Sequence, residues 1–190
     1  MKKFNNPYEA GKWSPSSGAA LGKFDGMHVG HQRVIRLALR RAKALATKCL
    51  VLTFDPIPEE YFGPGTWTTL LAPEKKIKLL EEMGVDAVVF LPFNRRLACQ
   101  APKAFVRDIL VNALKVLDVY VGKDFCFGKD RAGQVADLVG MGREYGFLVH
   151  PVPLLTLGRE KVSSSMIRRF IDEGRVKKAE RCLGRKLDHQ

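Results

Sequence analysis

Two histidines, His28 and His31, close the glycine-bearing stretch Gly22-Lys23-Phe24-Asp25-Gly26-Met27-His28-Val29-Gly30-His31. Their spacing places both imidazoles on one face if they open a helix. A helix start offers free amides and a positive dipole end, which suit phosphate. Imidazoles at that place donate hydrogen bonds to phosphate oxygens and can take up charge as negative charge develops. Gly22, Gly26 and Gly30 carry no side chain, so a ligand can approach the backbone. The competing reading is a turn with surface histidines opening an ordinary helix. Far along the chain, Ser163-Ser164-Ser165 precede Arg168. Serines before a helix are N-caps worth about 1 kcal/mol, and hydroxyls beside a guanidinium also form an anion clamp. Both places point to phosphate chemistry.

The elements that must position these groups follow from periodicity. Apolar, β-rich runs occupy 19–24, 48–54, 86–91, 118–122 and 147–152, and helix-like segments occupy 30–47, 73–83, 101–114 and 131–145. Pro73 and Pro102 stand at first helical positions, and Gly84 and Gly146 stand where helices should stop. Near-continuous apolar strands alternating with helices predict an α/β fold with a doubly wound, Rossmann-like parallel sheet. In such a sheet ligands bind beyond the carboxyl ends of the strands, near the switch in strand order. The first strand ends at the histidine turn, so the motif falls where that fold holds ligands. Residues 1–18, with Pro7, Pro15 and Ser16-Ser17-Gly18, read as a polar lead-in arm. The domain is expected over 19–185, with a short tail at 186–190.

Composition narrows the partners. The 190 residues hold 46% hydrophobic and 27% charged residues, which is globular. No apolar run is long enough to span a bilayer, and Met1-Lys2-Lys3 lacks the apolar region of a signal peptide. The four cysteines form no Cys-x-x-Cys pair, so reduced thiols in a cytoplasmic setting are expected. A formal net charge of +12 favours anionic partners. No basic block with interleaved aromatics occurs, which weakens the nucleic-acid option. Arg40-Arg41-Ala42-Lys43 and Lys75-Lys76-Ile77-Lys78 read as solvated helix faces.

The spelling Phe24-Asp25-Gly26-Met27-His28-Val29-Gly30-His31 resembles the His-x-Gly-His signature of the nucleotidyltransferase superfamily. It is most similar to the FMN adenylyltransferase module of bacterial bifunctional riboflavin kinase/FAD synthetases. Three further stretches resemble that family in order. Thr53-Phe54-Asp55-Pro56-Ile57-Pro58 matches T-F-x-P-H-P except at Ile57, where the family has histidine. Gly122-Lys123-Asp124-Phe125-Cys126-Phe127-Gly128 resembles G-x-[ND]-F-x-F-G, although the two phenylalanines could equally be core. Ser163-Ser164-Ser165-Met166-Ile167-Arg168 resembles S-S-T-x-I-R. The matches run from Gly22 to about Gly184.

The resemblance implies adenylyl transfer from ATP to FMN, giving FAD and pyrophosphate with Mg2+. His28, His31 and Arg168 would be catalytic. Gly22, Lys23, Phe24, Asp25, Gly26, Gly30, Ser163, Ser164 and Ser165 would contact ATP. Phe54, Asp55, Pro56, Asp124, Phe125 and Phe127 would contact FMN. Asp124 could touch the metal, whose other ligands would be phosphates and water. No riboflavin kinase module is expected in these residues, so that activity would come from a separate protein or a missing module. Two rivals stand beside this reading. One is nucleotidyl transfer to another phosphorylated acceptor. The other is a non-catalytic nucleotide-binding or RNA-associated regulatory protein, which the Ile57 departure would suit.

Overall fold

A computed structural model of the chain describes residues 1–14, 18–64 and 69–187. In chain order the elements are β1 (Lys2–Phe4), α1 (Pro7–Trp13), β2 (Gly18–Leu21), α2 (Val29–Ala44), β3 (Cys49–Asp55), α3 (Pro58–Phe62), α4 (Pro73–Glu82) and β4 (Ala87–Pro92). Then follow α5 (Arg95–Ala98) and α6 (Pro102–Phe105), which continues as a π-helix over Val106–Ala113. The last part holds β5 (Asp118–Gly122), β6 (Cys126–Phe127), β7 (Gly133–Gln134), α7 (Val135–Tyr145), β8 (Leu148–Val152), β9 (Thr156–Leu157), β10 (Glu160–Lys161), α8 (Ser164–Asp172) and α9 (Val176–Leu183).

Six strands form one parallel sheet in the order β1-β4-β3-β2-β5-β8. The chain winds from β2 outward through β3 to β4, then returns to the other side of β2 for β5 and β8. Residues Cys49 to Thr53 are all buried, which requires cover on both faces and explains the unbroken apolar run. On one face Ile35, Ala38 and Ala42 of α2 and Leu80 of α4 pack against Val51 and Val88. On the other, Phe105, Val106 and Leu110 of the α6/π segment and Leu138 of α7 pack against Leu50, Leu52 and Val119. Pairing of β2 with β5 ends at Ala20↔Tyr120, while β5 runs on to Gly122. The strands therefore part at their carboxyl ends, at the switch in strand order.

The expected doubly wound sheet is the fold observed, with three differences in detail. The first strand stops at Leu21 rather than Phe24, because Phe24 adopts left-handed backbone with φ 49°. The expected helix from 131 starts only at Val135, where Gln134 and Asp137 form a capping box. The lead-in arm is also corrected. Residues 2–4 are an edge strand paired in parallel with β4, and 7–13 are a helix. Their lysine-rich composition hides an element that is exposed on one side. Pro15, Ser16, Ser17 and the tail from 188 lie outside the described residues. Among the described residues no helix is long and apolar enough to cross a membrane.

The arm correction carries a test. A Cβ at Gly11 would lie 1.8 Å from the Ala113 carbonyl oxygen, at the end of the π-helix. Gly11→Ala should therefore destabilise the whole domain by roughly 1–3 kcal/mol, read from the urea midpoint. An unchanged midpoint would mean that α1 is not part of the cooperative unit.

Candidate active site

The turn between β2 and α2 is held in an uncommon backbone path. Phe24, Gly26 and Met27 have φ of 49°, 75° and 46°. Left-handed backbone costs a non-glycine residue about 1–2 kcal/mol, so Phe24 and Met27 need support. Five side chains from outside the turn donate to four of its carbonyls. Thr53 Oγ1 and Lys76 Nζ donate to the Lys23 carbonyl at 2.9 and 3.3 Å. Ser164 Oγ donates to the Asp25 carbonyl at 2.9 Å. The Arg185 guanidinium donates to the Gly26 carbonyl, and Gln32 Nε2 to the Met27 carbonyl, each at 2.9 Å. The buried Asp25 carboxylate accepts from the Leu70 amide at 2.9 Å and from Arg168 at 2.8 Å.

This frame delivers the histidines. His28 is the N-cap of α2, and its Nδ1 accepts the His31 backbone N–H at 3.3 Å. That bond leaves the proton of a neutral His28 on Nε2. The two rings stack with centroids 3.6 Å apart, and Phe24 meets His31 edge-on at 5.4 Å. Burial, then the Lys161 charge, pushes the His28 pKa down to about 4. Burial, followed by the neighbouring His28, holds His31 well below the usual histidine range. Both imidazoles are thus neutral near pH 7. His31 Nδ1 is enclosed without a hydrogen-bond partner among the described residues. A Cβ on Gly30 would stand 3.1 Å from the His28 ring, so the bare backbone lets that ring fold over the helix start. The gap left by Gly22 is likewise filled by the Phe24 ring, not left open to a ligand.

Across the parted strand ends, Asp124 follows β5 and pairs with Lys161 of β10. Lys23 pairs with Glu59 of α3. Beyond β3, Phe54, Asp55 and the buried Ile57 border a cavity of about 90 Å³ with Lys76. Phe127 is a core residue beside Phe105, while Phe125 stacks on it from a half-buried position. Pro56 follows a cis peptide bond after Asp55.

Several expected roles shift accordingly. Asp25 and Phe24 are expected on ATP and Arg168 in catalysis; in the structure Asp25 and Arg168 pair with each other and the Phe24 ring packs edge-on against His31. Ser163 caps α8 by accepting from the Met166 amide at 3.2 Å, and Ser165 is exposed at the helix start. Lys76 overturns the solvated-face reading of its segment, being 6% exposed. Arg41 also departs from it, reaching Asp118 at 3.5 Å. Gln32, Lys76, Lys161 and Arg185 are the site residues that the sequence reading missed. Only Lys76 carried a local signal, since it lies four residues before Leu80 on the buried stripe of α4. As for a metal, the described residues hold no group of three His, Cys, Asp or Glu able to form a cage. The Asp124 carboxylate is already matched by Lys161.

The model of the FAD synthetase family matches residues 12–166 of the chain. The bifunctional riboflavin kinase/FMN adenylyltransferase of Pseudomonas fluorescens is 38% identical over 167 residues, covering 88% of this chain and 54% of that protein. The chain thus spans about half the length of the curated relatives that it matches. A solved structure from Streptococcus pneumoniae, described as a macrolide-efflux protein, superposes with a TM-score of 0.83 at 28% identity, covering 97% of this chain and 60% of that one. Pantothenate synthetase of Thermus thermophilus shares the fold, with a TM-score of 0.60 at 18% identity over 97% of this chain and 81% of that one.

Proposed function

The chain belongs to the FAD synthetase family, and from that premise we propose that it transfers the adenylyl group of ATP to FMN, giving FAD and pyrophosphate. The observation that carries the reading is the stacked, neutral histidine pair at the head of α2, facing the parted ends of β2 and β5. An FMN phosphate oxygen attacks the α-phosphorus of ATP. The bond from that phosphorus to the bridging oxygen breaks, and its electron pair leaves on pyrophosphate. The nucleophile is already an anion, so the protein need not supply a strong base. It must align the groups and stabilise charge on the phosphoryl oxygens.

His28 and His31 are assigned to the α- and β-phosphates, with the His28 Nε2 proton directed to a phosphoryl oxygen. The backbone from Lys23 to Gly30 and the start of α8 at Ser163, Ser164 and Ser165 receive the rest of ATP. Arg168 acts through Asp25 by fixing the turn. Phe54, Asp55, Pro56 and Phe125 border the flavin side, with Asp124 near the phosphates and Phe127 behind Phe125 in the core. Mg2+ carried on the ATP phosphates would neutralise their charge, with Asp124 the side chain that would reach it. Reduced thiols and nucleotide substrates suit the cytoplasm. Riboflavin phosphorylation is assigned to residues outside this sequence or to a separate protein.

Incubation with ATP, Mg2+ and FMN, followed by chromatography, tests the reading. FAD and pyrophosphate in equal amounts are expected. Nucleotide that binds but is not turned over would favour the regulatory alternative. A product from a different phosphorylated acceptor would move the assignment within the superfamily.

A further inference from the structure

Lys76 is a buried ammonium that the reaction scheme above leaves unused. Lysine is rarely buried without an ion-pair partner, because desolvating its charge is costly. Here its only hydrogen bond is the 3.3 Å contact to the Lys23 carbonyl, and no carboxylate pairs with it among the described residues. The nearest buried candidate, Asp25, has its oxygens on the Leu70 amide and Arg168. Burial lowers the lysine's pKa, while Asp25, Asp55 and Glu60 push it back up.

The side chain borders the cavity of about 90 Å³ beyond β3, whose other walls include Phe54, Ile57, Leu71 and Phe90. At roughly 30 Å³ per water, that space holds about three waters. It can take a phosphoryl group. Lys76 is the one cation among the residues bordering it. Asp55 and Glu60 also border it, but Asp55 is exposed and Glu60 half-exposed, so solvent screens them as it does not screen the ammonium. From its place at the cavity, Lys76 also donates to the Lys23 carbonyl, where the histidine turn begins. Ile57, buried at the cavity wall, cannot supply a donor here.

We propose that Lys76 seats the phosphate of the acceptor at the entrance to the transfer site. The proposal rests on the adenylyl-transfer reading. Its competitor is a lysine that merely braces the turn through the Lys23 carbonyl.

Binding of FMN and of riboflavin, which lacks the phosphate, separates the two. Each is titrated without ATP, by flavin fluorescence, into the unaltered chain, Lys76→Met and Lys76→Arg. The unaltered chain should prefer FMN. Lys76→Met, which keeps the space filled, should lose roughly tenfold to a hundredfold in FMN affinity and leave riboflavin unchanged. Lys76→Arg should keep most of the preference. A Lys76→Met chain that weakens both flavins alike, or that still prefers FMN as before, overturns the assignment and leaves the FAD reading intact. An unaltered chain that fails to bind FMN overturns both.

Discussion

Arg168→Ala should unfold at a clearly lower denaturant concentration and lose nucleotide binding together with its stability. The guanidinium meets Asp25 at 2.8 Å, with the two side chains 20% and 5% exposed. Removing one member of such a pair leaves a buried carboxylate without its cation, which costs about 3–5 kcal/mol. The loss falls on the turn that carries His28 and His31, so catalysis and folding fail together. Lysine keeps the charge but not the planar fork, and Arg168→Lys should recover only part of the loss. Adding Asp25→Asn to Arg168→Ala removes the stranded charge and should restore stability without restoring turnover. Urea unfolding and FAD formation on the three variants are the measurements. An Arg168→Ala protein of normal stability and impaired turnover would return Arg168 to direct contact with phosphate.

Acid should weaken the fold well before carboxylates protonate. Above pH 6.5 the imidazole is neutral in both folded and unfolded chains, so His28 adds no pH dependence. Below that, the unfolded chain takes up the proton first, because His28 in the folded protein is held at about 4. Stability therefore falls as pH drops through this window, by about 3 kcal/mol for His28 alone. His31, held well below its ordinary value, adds in the same direction. Unfolding free energies between pH 7 and 4 should slope steeply for the unaltered protein and less for His28→Gln. Equal slopes would mean that His28 is not shielded. Phosphates at the site act in the opposite sense, since anions stabilise the imidazolium, so nucleotide binding should be accompanied by proton uptake.

The sheet was legible because its signals are local. Apolar runs, helix-opening prolines and helix-stopping glycines each act over a few residues, and the parallel pairing of the strands follows from their alternation with helices. The place of His28 and His31 at the head of α2 was legible for the same reason. Other features depend on distant partners. Arg168 looked like a phosphate ligand because nothing nearby in sequence reveals Asp25, 143 residues earlier. Lys76 looked solvated because two flanking lysines mask its place on the buried stripe of α4. The strand and helix before residue 14 were missed because an edge strand that begins Lys2-Lys3 carries no apolar alternation.

The ties that complete the histidine turn also set the order in which the protein can mature. Ser164, Arg168, the Leu183 carbonyl and Arg185 lie 139, 143, 151 and 159 residues from their partners in and beside the turn. On the ribosome, the histidine turn emerges 139 to 159 residues before the groups that clasp it. A nascent chain that has built β2 to β8 holds a sheet and a helix start but lacks these clasps. Contacts so far apart in sequence form late, after the loop entropy between them has been overcome. The turn therefore gains its full set of clasps only once synthesis has passed α9.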